Sequence, residues 1–194
     1  MHKTEILKDG TKVLIRSQTR DDLDLLMDFY TALPNDDRRY LRVDVTDRDV
    51  IRQRLQLMES GFLFRICAVL GDRVVATGAL EIFADAWRKH QGELRVIIDR
   101  DFRRKGLGLI MMRELYLLAH EKKVELVVTR IMRPQSAARS ICRKLGFREE
   151  LMVPDYLRDL TGATQDMVLM AADMQEFWKE LEHFYQVSDW QKSR

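Results

Sequence analysis

Cysteine is nearly absent: Cys67 and Cys142 are the only two in 194 residues. A disulfide framework would want more, so both are expected as free, buried thiols in a reducing compartment. No run approaches the ~18–20 apolar residues that span a bilayer, and the opening MHKTEILKDG has no apolar signal core. A soluble, cytoplasmic protein with no membrane partner is the expectation. Charge of one sign is not in excess either. The chain has 33 Lys and Arg against 31 Asp and Glu, a formal net charge of +2. A general nucleic-acid binder carries a large basic surplus, so nucleic acid is not expected, although a local basic cluster can still hold one anionic ligand. No repeat, low-complexity tract or linker divides the chain, and no metal is expected.

What is present is a 46% hydrophobic fraction, enough for one sizeable core. Residues 12–16 read as a strand after the turn at Asp9-Gly10. Residues 21–30 read as a helix, with Leu23, Leu26, Met27 and Tyr30 on one face and acids in the first turn. Pro34 ends it, and charge crowds residues 34–49 without pattern. A helix over 49–59 precedes a three-stranded meander over 62–70, 73–83 and 93–98, with a hairpin turn at Gly71-Asp72 and a polar loop over 84–91. Then come a helix over 107–121, a strand over 124–131, a short helix from Ser136 to Leu145, and strands over 147–154 and 165–171. The last segment, 173–185, is an amphipathic helix striped by Met174, Phe177, Trp178, Leu181 and Phe184. The fold class is α+β. The helix from Leu107 should cross over to make 124–131 parallel to 93–98. A sheet that is antiparallel at one end and locally parallel in its middle splays there, and ligands enter open sheets at such breaks.

The stretch DFRRKGLGLIMM (101–112) lies between that strand and that helix. The first turn of a helix has unsatisfied N–H groups and a partial positive charge, a setting for phosphate. Gly106 and Gly108 let the backbone come close, and Arg103, Arg104 and Lys105 add charge. A solvated basic turn is the plain alternative. The stretch is not a Walker loop, and Met111 stands where a dinucleotide fingerprint has its third glycine. A nicotinamide-dependent Rossmann enzyme is therefore a remote alternative.

RRKGLG (103–108) matches the Arg/Gln-x-x-Gly-x-Gly/Ala signature of the GNAT N-acetyltransferases, and QSAARSICRKLGF (135–147) resembles that family's second motif. Ala138, Lys144, Gly146 and Phe147 agree with it, whereas Gln135 replaces Asn and Cys142 replaces Tyr. The resemblance covers about residues 11–172. It implies a GNAT domain over 1–172, a mostly antiparallel sheet splayed at the acetyl-CoA site, and a helical extension over 173–194 packed on the domain or on a partner subunit of a homodimer. LKDGTKVLIR and RRYLR further resemble the GNAT domain of bacterial Pat-type protein-lysine acetyltransferases, with Val43 in place of a Phe.

The resemblance implies acetyl-CoA as co-substrate. The backbone N–H groups of residues 104–108, Leu107 among them, would bind its pyrophosphate. Ile98 would lie against the pantetheine arm, and Val96 and Ile97 would present an N–H to the thioester carbonyl. Glu93, at the start of the acetyl-CoA strand, is the first candidate for general base, against a surface strand Glu paired with Arg95. Glu81 is the second, and His90 a third that needs loop closure. Cys142 is the candidate general acid, against a plain core cysteine, with water as its substitute. Gln135 and Arg139 belong to the second motif. Arg139 and Arg143 could reach the adenosine phosphate or form a solvated face. Trp87 lines the acceptor mouth or caps the sheet. The acceptor side, residues 28–50, mixes Asp36, Asp37, Asp44, Asp47 and Asp49 with Arg38, Arg39, Arg42 and Arg48. The acceptor is a small amine or a protein lysine. The alternative from another class is a non-catalytic acyl-CoA-binding or interaction module.

Overall fold

A computed structural model describes residues 2–187. Strand β1 (His2–Ile6) pairs antiparallel with β2 (Lys12–Ser17) and leads through a short turn to α1 (Leu23–Ala32), the single-turn α2 (Asn35–Arg38) and α3 (Arg48–Gln56). The meander is β3 (Leu63–Leu70), β4 (Arg73–Ile82) and β5 (Gln91–Ile98). Helix α4 (Leu107–Glu121), β6 (Leu126–Met132), α5 (Ser136–Lys144), β7 (Arg148–Arg158), β8 (Thr164–Asp173) and α6 (Met174–Val187) complete the chain. The eight strands form one sheet in the order β1-β2-β3-β4-β5-β6-β8-β7. Every neighbouring pair is antiparallel except β5 and β6.

The period-2 alternation of the strands splits the core into two layers. On β3, Ile66 and Ala68 face the cluster under α4 and α6, while Cys67 and Val69 face the cluster under α1 and α3. Helix α4 buries Leu107, Ile110, Met111 and Leu115 completely, each such side chain contributing roughly 1.5–3 kcal/mol. Asp47 starts α3 by accepting from the N–H groups of Asp49 at 2.8 Å and Val50 at 3.4 Å. Helix α6 inserts Phe177 edge-on against Tyr116 and Phe147, both at 5.4 Å between ring centroids. Trp178 stacks on Tyr116, and Met174 and Leu181 are buried in the same layer. The side chain of Phe184 and residues 188–194 lie outside the described residues. No helix among the described residues is long and apolar enough to cross a membrane.

The layered, mostly antiparallel sheet is as the sequence pattern implied. Strand β1 was not expected, because it is an edge strand on which only Glu5 is buried. Glu5 is held there by ion pairs to Lys3 and Arg113 instead of by apolar alternation. Strand β7 runs past its expected end at 154. Its register breaks between Val153 and Leu157, where Asp155 takes φ 52°, so the alternation is lost before the strand ends. Both thiols are free, Cys67 fully buried and Cys142 only partly.

Candidate active site

The parallel pairing of β5 and β6 lasts for three residue pairs, Gln91 with Leu126, Gly92 with Val127 and Glu93 with Val128. Beyond Glu93, β5 stays paired to β4 and β6 stays paired to β8, so the sheet opens between them. Hydrogen bonding fixes which groups face the opening. The Asp99 N–H donates to the Val75 carbonyl at 3.0 Å. In an antiparallel ladder the main-chain groups alternate sides, so Ile97, Arg95 and Glu93 turn theirs to β4. Leu94 stands at the last rung of the pairing with β6, beside the pair of Glu93 with Val128, and Val96 and Ile98 turn theirs into the opening. This corrects the pairing of Val96 with Ile97: the Ile97 amide belongs to the β4 ladder, and its side chain packs under α1 and α3.

The chain leaves β5 through a short helical turn that Asp99 caps by accepting from the Asp101 N–H at 3.0 Å. Arg104 at φ 63° and Gly106 at φ 87° then take left-handed conformations. Alternation of this kind turns successive N–H groups inward as an anion-binding nest. Among the described residues, the amides of residues 104–108 find no acceptor. The nest is braced from behind, because the Lys105 carbonyl accepts from the Lys8 N–H at 3.0 Å and the Lys105 ammonium pairs with Asp9 at 3.0 Å. Gly108 lies against the strand end: a Cβ built there would stand 3.0 Å from Ile98 Cδ1. Arg103 folds away from the nest, donating to the Ile98 carbonyl at 3.2 Å and to Asp37 at 2.8 Å. Of the basic run, Arg104 alone has no partner among the described residues.

Glu93 sits at the apex of the opening and is fully buried. The alternative, a surface Glu paired with Arg95, is not what it forms. Arg42, from the loop after α2, grips both its oxygens, and so does Arg130 from β6. The Arg130 N–H adds a bond at 3.3 Å. Burial pushes the carboxyl up, but the hydrogen bonds and charges of the two guanidiniums outweigh it and bring it down to about 2. Arg95 pairs with Glu81, the cross-strand neighbour of Glu93. Glu81 is far more accessible, with 42% of its side chain exposed.

The other expected site residues are dispersed. Gln135 accepts from the Met132 N–H at 2.9 Å and so closes the β6–α5 turn. Arg139 and Arg143 both clamp Glu149 on β7, at 2.8 and 2.6 Å. Cys142 packs against the core below α4, where burial pushes its thiol up to about 12. His90 engages strand β6 through its carbonyl, which accepts from Glu125 and Leu126. Trp87 neither caps the sheet nor packs, being 90% exposed. The charge-crowded segment resolves into straps: Asp37 ties α2 to Arg100 and Arg103, Arg39 ties its loop to Asp159, and Arg42 ties it to Glu93. Sequence reasoning missed Arg130 and left Arg42 among undifferentiated loop charges. No group of three or more His, Cys, Asp or Glu among the described residues is placed to hold a metal.

A sheet split beside an inward-facing nest, with a strand edge running between them, suits a transferase that draws an acyl group from a CoA thioester. The model of the acetyltransferase (GNAT) family matches residues 24–147, and the chain belongs to that family of acyltransferases, which use acetyl-CoA as co-substrate. Solved structures agree in fold. The GNAT domain of S. lividans PAT superposes with a TM-score of 0.74 at 14% identity, covering 89% of this chain and 96% of that one. The ribosomal-protein-S5-alanine acetyltransferase of Vibrio fischeri gives 0.72 at 15% identity, covering 85% and 94%. The ribosomal-protein-alanine N-acetyltransferase of Brucella melitensis gives 0.70 at 24% identity, covering 82% and 98%. No curated protein matches the chain.

Proposed function

We propose that the chain moves the acetyl group of acetyl-CoA onto a primary amine by direct attack across the opening between β5 and β6. The observation that carries this reading is the run of acceptor-less amides at 104–108 beside the main-chain edge of Val96 and Ile98. The nest takes the CoA diphosphate, helped by Arg104 and by the positive end of α4. The β5 edge runs along the pantetheine arm, and the Val96 N–H stabilises the negative charge that develops on the thioester oxygen.

Attack forms an N–C bond and breaks the C–S bond, so the amine must lose a proton and the CoA thiolate must gain one. An alkyl ammonium has a reference pKa of ~10.4, so its deprotonation at pH 7 costs roughly 4–5 kcal/mol. Glu93 is a poor acceptor for that proton, because its oxygens are filled by Arg42 and Arg130 and its carboxyl lies at about 2. It acts as a positioning residue that fixes both guanidiniums at the apex. Glu81, exposed and adjacent, takes the proton through water. A thiol at about 12 is also a poor donor to the departing thiolate. Protonating a thiolate of reference pKa ~8.5 from such a group is uphill by roughly 5 kcal/mol, so the thiolate takes instead the last proton shed by the attacking nitrogen, relayed by water.

The test is to incubate the protein with acetyl-CoA and a set of amines and peptides, following free thiol and acetylated product by mass spectrometry. Amine-dependent release of both is expected. Acetyl-CoA binding without turnover on any acceptor would contradict the reading. Glu81→Gln should lower kcat/KM at neutral pH by about 100-fold and leave acetyl-CoA affinity unchanged. An unaltered rate would remove Glu81 from the proton path.

A further inference from the structure

On the α1/α3 side of the sheet, beside the apex, lies a cavity of about 600 Å³, the size of a small-molecule site. Its walls are largely apolar, with Val50, Phe62, Ile82 and Phe83 among them, and Glu81 and Arg54 supply opposite charges. Arg54, on α3, is half-buried and makes no hydrogen bond or ion pair among the described residues. The neighbouring charges are already engaged. Glu81 pairs with Arg95, Asp85 pairs with Arg88, and Arg65 donates to Gln18 and Tyr30. Burial, followed by the charges of Arg65 and Arg95, makes the cationic form of Arg54 less favourable than usual, with Tyr30 and Glu81 offsetting only part of this. A half-desolvated cation without a counter-ion is costly, and a guanidinium is shaped to grip a carboxylate at two points.

Glu81 stands directly across the ladder from Glu93, where the sheet begins to open. A ligand with one end on Arg54 therefore extends past Glu81 toward the opening. We infer that this cavity is the acceptor site and that the acceptor is a small amine bearing a carboxylate. Arg54 holds the carboxylate, the apolar walls hold the body, and Glu81 faces the amine. The inference rests on the acetyl-transfer reading above.

The experiment compares amino acids with their decarboxylated amines, such as leucine with isoamylamine and phenylalanine with phenethylamine, as acceptors and as ligands in calorimetric titration. At least one pair should show a carboxylate preference of about tenfold or more in kcat/KM. Arg54→Gln should abolish the preference, and Arg54→Lys should keep part of it. A set in which no pair shows a preference, or a preference that survives Arg54→Gln, would overturn the inference. Should no amine be acetylated at all, the transfer reading fails, and calorimetry still decides the site. Carboxylate-dependent binding lost in Arg54→Gln supports it, and the absence of such binding sinks it.

Discussion

Glu93→Gln is expected to lower the thermal midpoint by about 6–12 °C, from a loss of roughly 3 kcal/mol at ~2–4 °C per kcal/mol for a chain of this size. The neutral amide leaves Arg42 and Arg130 facing each other without their shared anion. Because both guanidiniums are about one-third exposed, at 33% and 39%, the effect should fall at the low end for a broken buried pair. Arg42 also holds the acceptor-side loop, so kcat should fall as the loop loosens. The pH dependence has a definite sign. A carboxyl lowered from 4.5 to about 2 on folding contributes its stability fully above pH 4.5 and loses it as pH falls through 2. The stability gap between wild type and variant should therefore close across that window. The acid limb of the rate profile should survive in the variant, since the proton goes elsewhere. A variant of unchanged stability that has lost both its rate and its acid limb would show instead that Glu93 is the base.

Gly108→Trp should raise the Kd for acetyl-CoA by at least about 100-fold, equivalent to one or two charge-assisted hydrogen bonds. The indole cannot lie toward β5, because even a Cβ would stand 3.0 Å from Ile98 Cδ1. It turns toward the nest and fills the space beside the amides. Gly108→Ala is the control. Its one added atom meets the end of a flexible side chain, and residue 108 is helical and has no positive φ. Alanine should keep both the fold and most of the affinity. Wild-type affinity in the Trp variant would mean that the donor binds elsewhere.

The split sheet was legible because it follows from local pattern. Apolar, β-prone runs around the turn at Gly71-Asp72 mark the meander, helical spacing marks α4, and the crossover rule then makes β6 parallel to β5 and sets the opening between them. The turn was legible in part: Gly106 takes a left-handed conformation and Gly108 lies close against the strand end, whereas nothing local marks Arg104 as the other left-handed residue. The electrostatics at the apex were not. Glu93 could be placed at the start of its strand, but its partners lie 51 residues before it and 37 after it. Among the 33 basic residues, nothing local distinguishes Arg42 and Arg130. The same limit applies to Arg139 and Arg143. Their helical spacing allowed either a phosphate grip or a solvated face, and their fork is closed on Glu149, which arrives from β7. Strand β1 escaped detection because ion pairs, not apolar alternation, hold its single buried side chain.

The most direct measurement is an amide-resolved NMR titration of the intact protein with acetyl-CoA. Saturable shifts concentrated in the N–H groups of residues 104–108, with a second set at Val96 and Ile98 and little change at Ile97, are expected. Shifts that saturate elsewhere while those amides stay still, or no shifts at millimolar acetyl-CoA, would contradict the placement of the donor in the nest and the opening beside it.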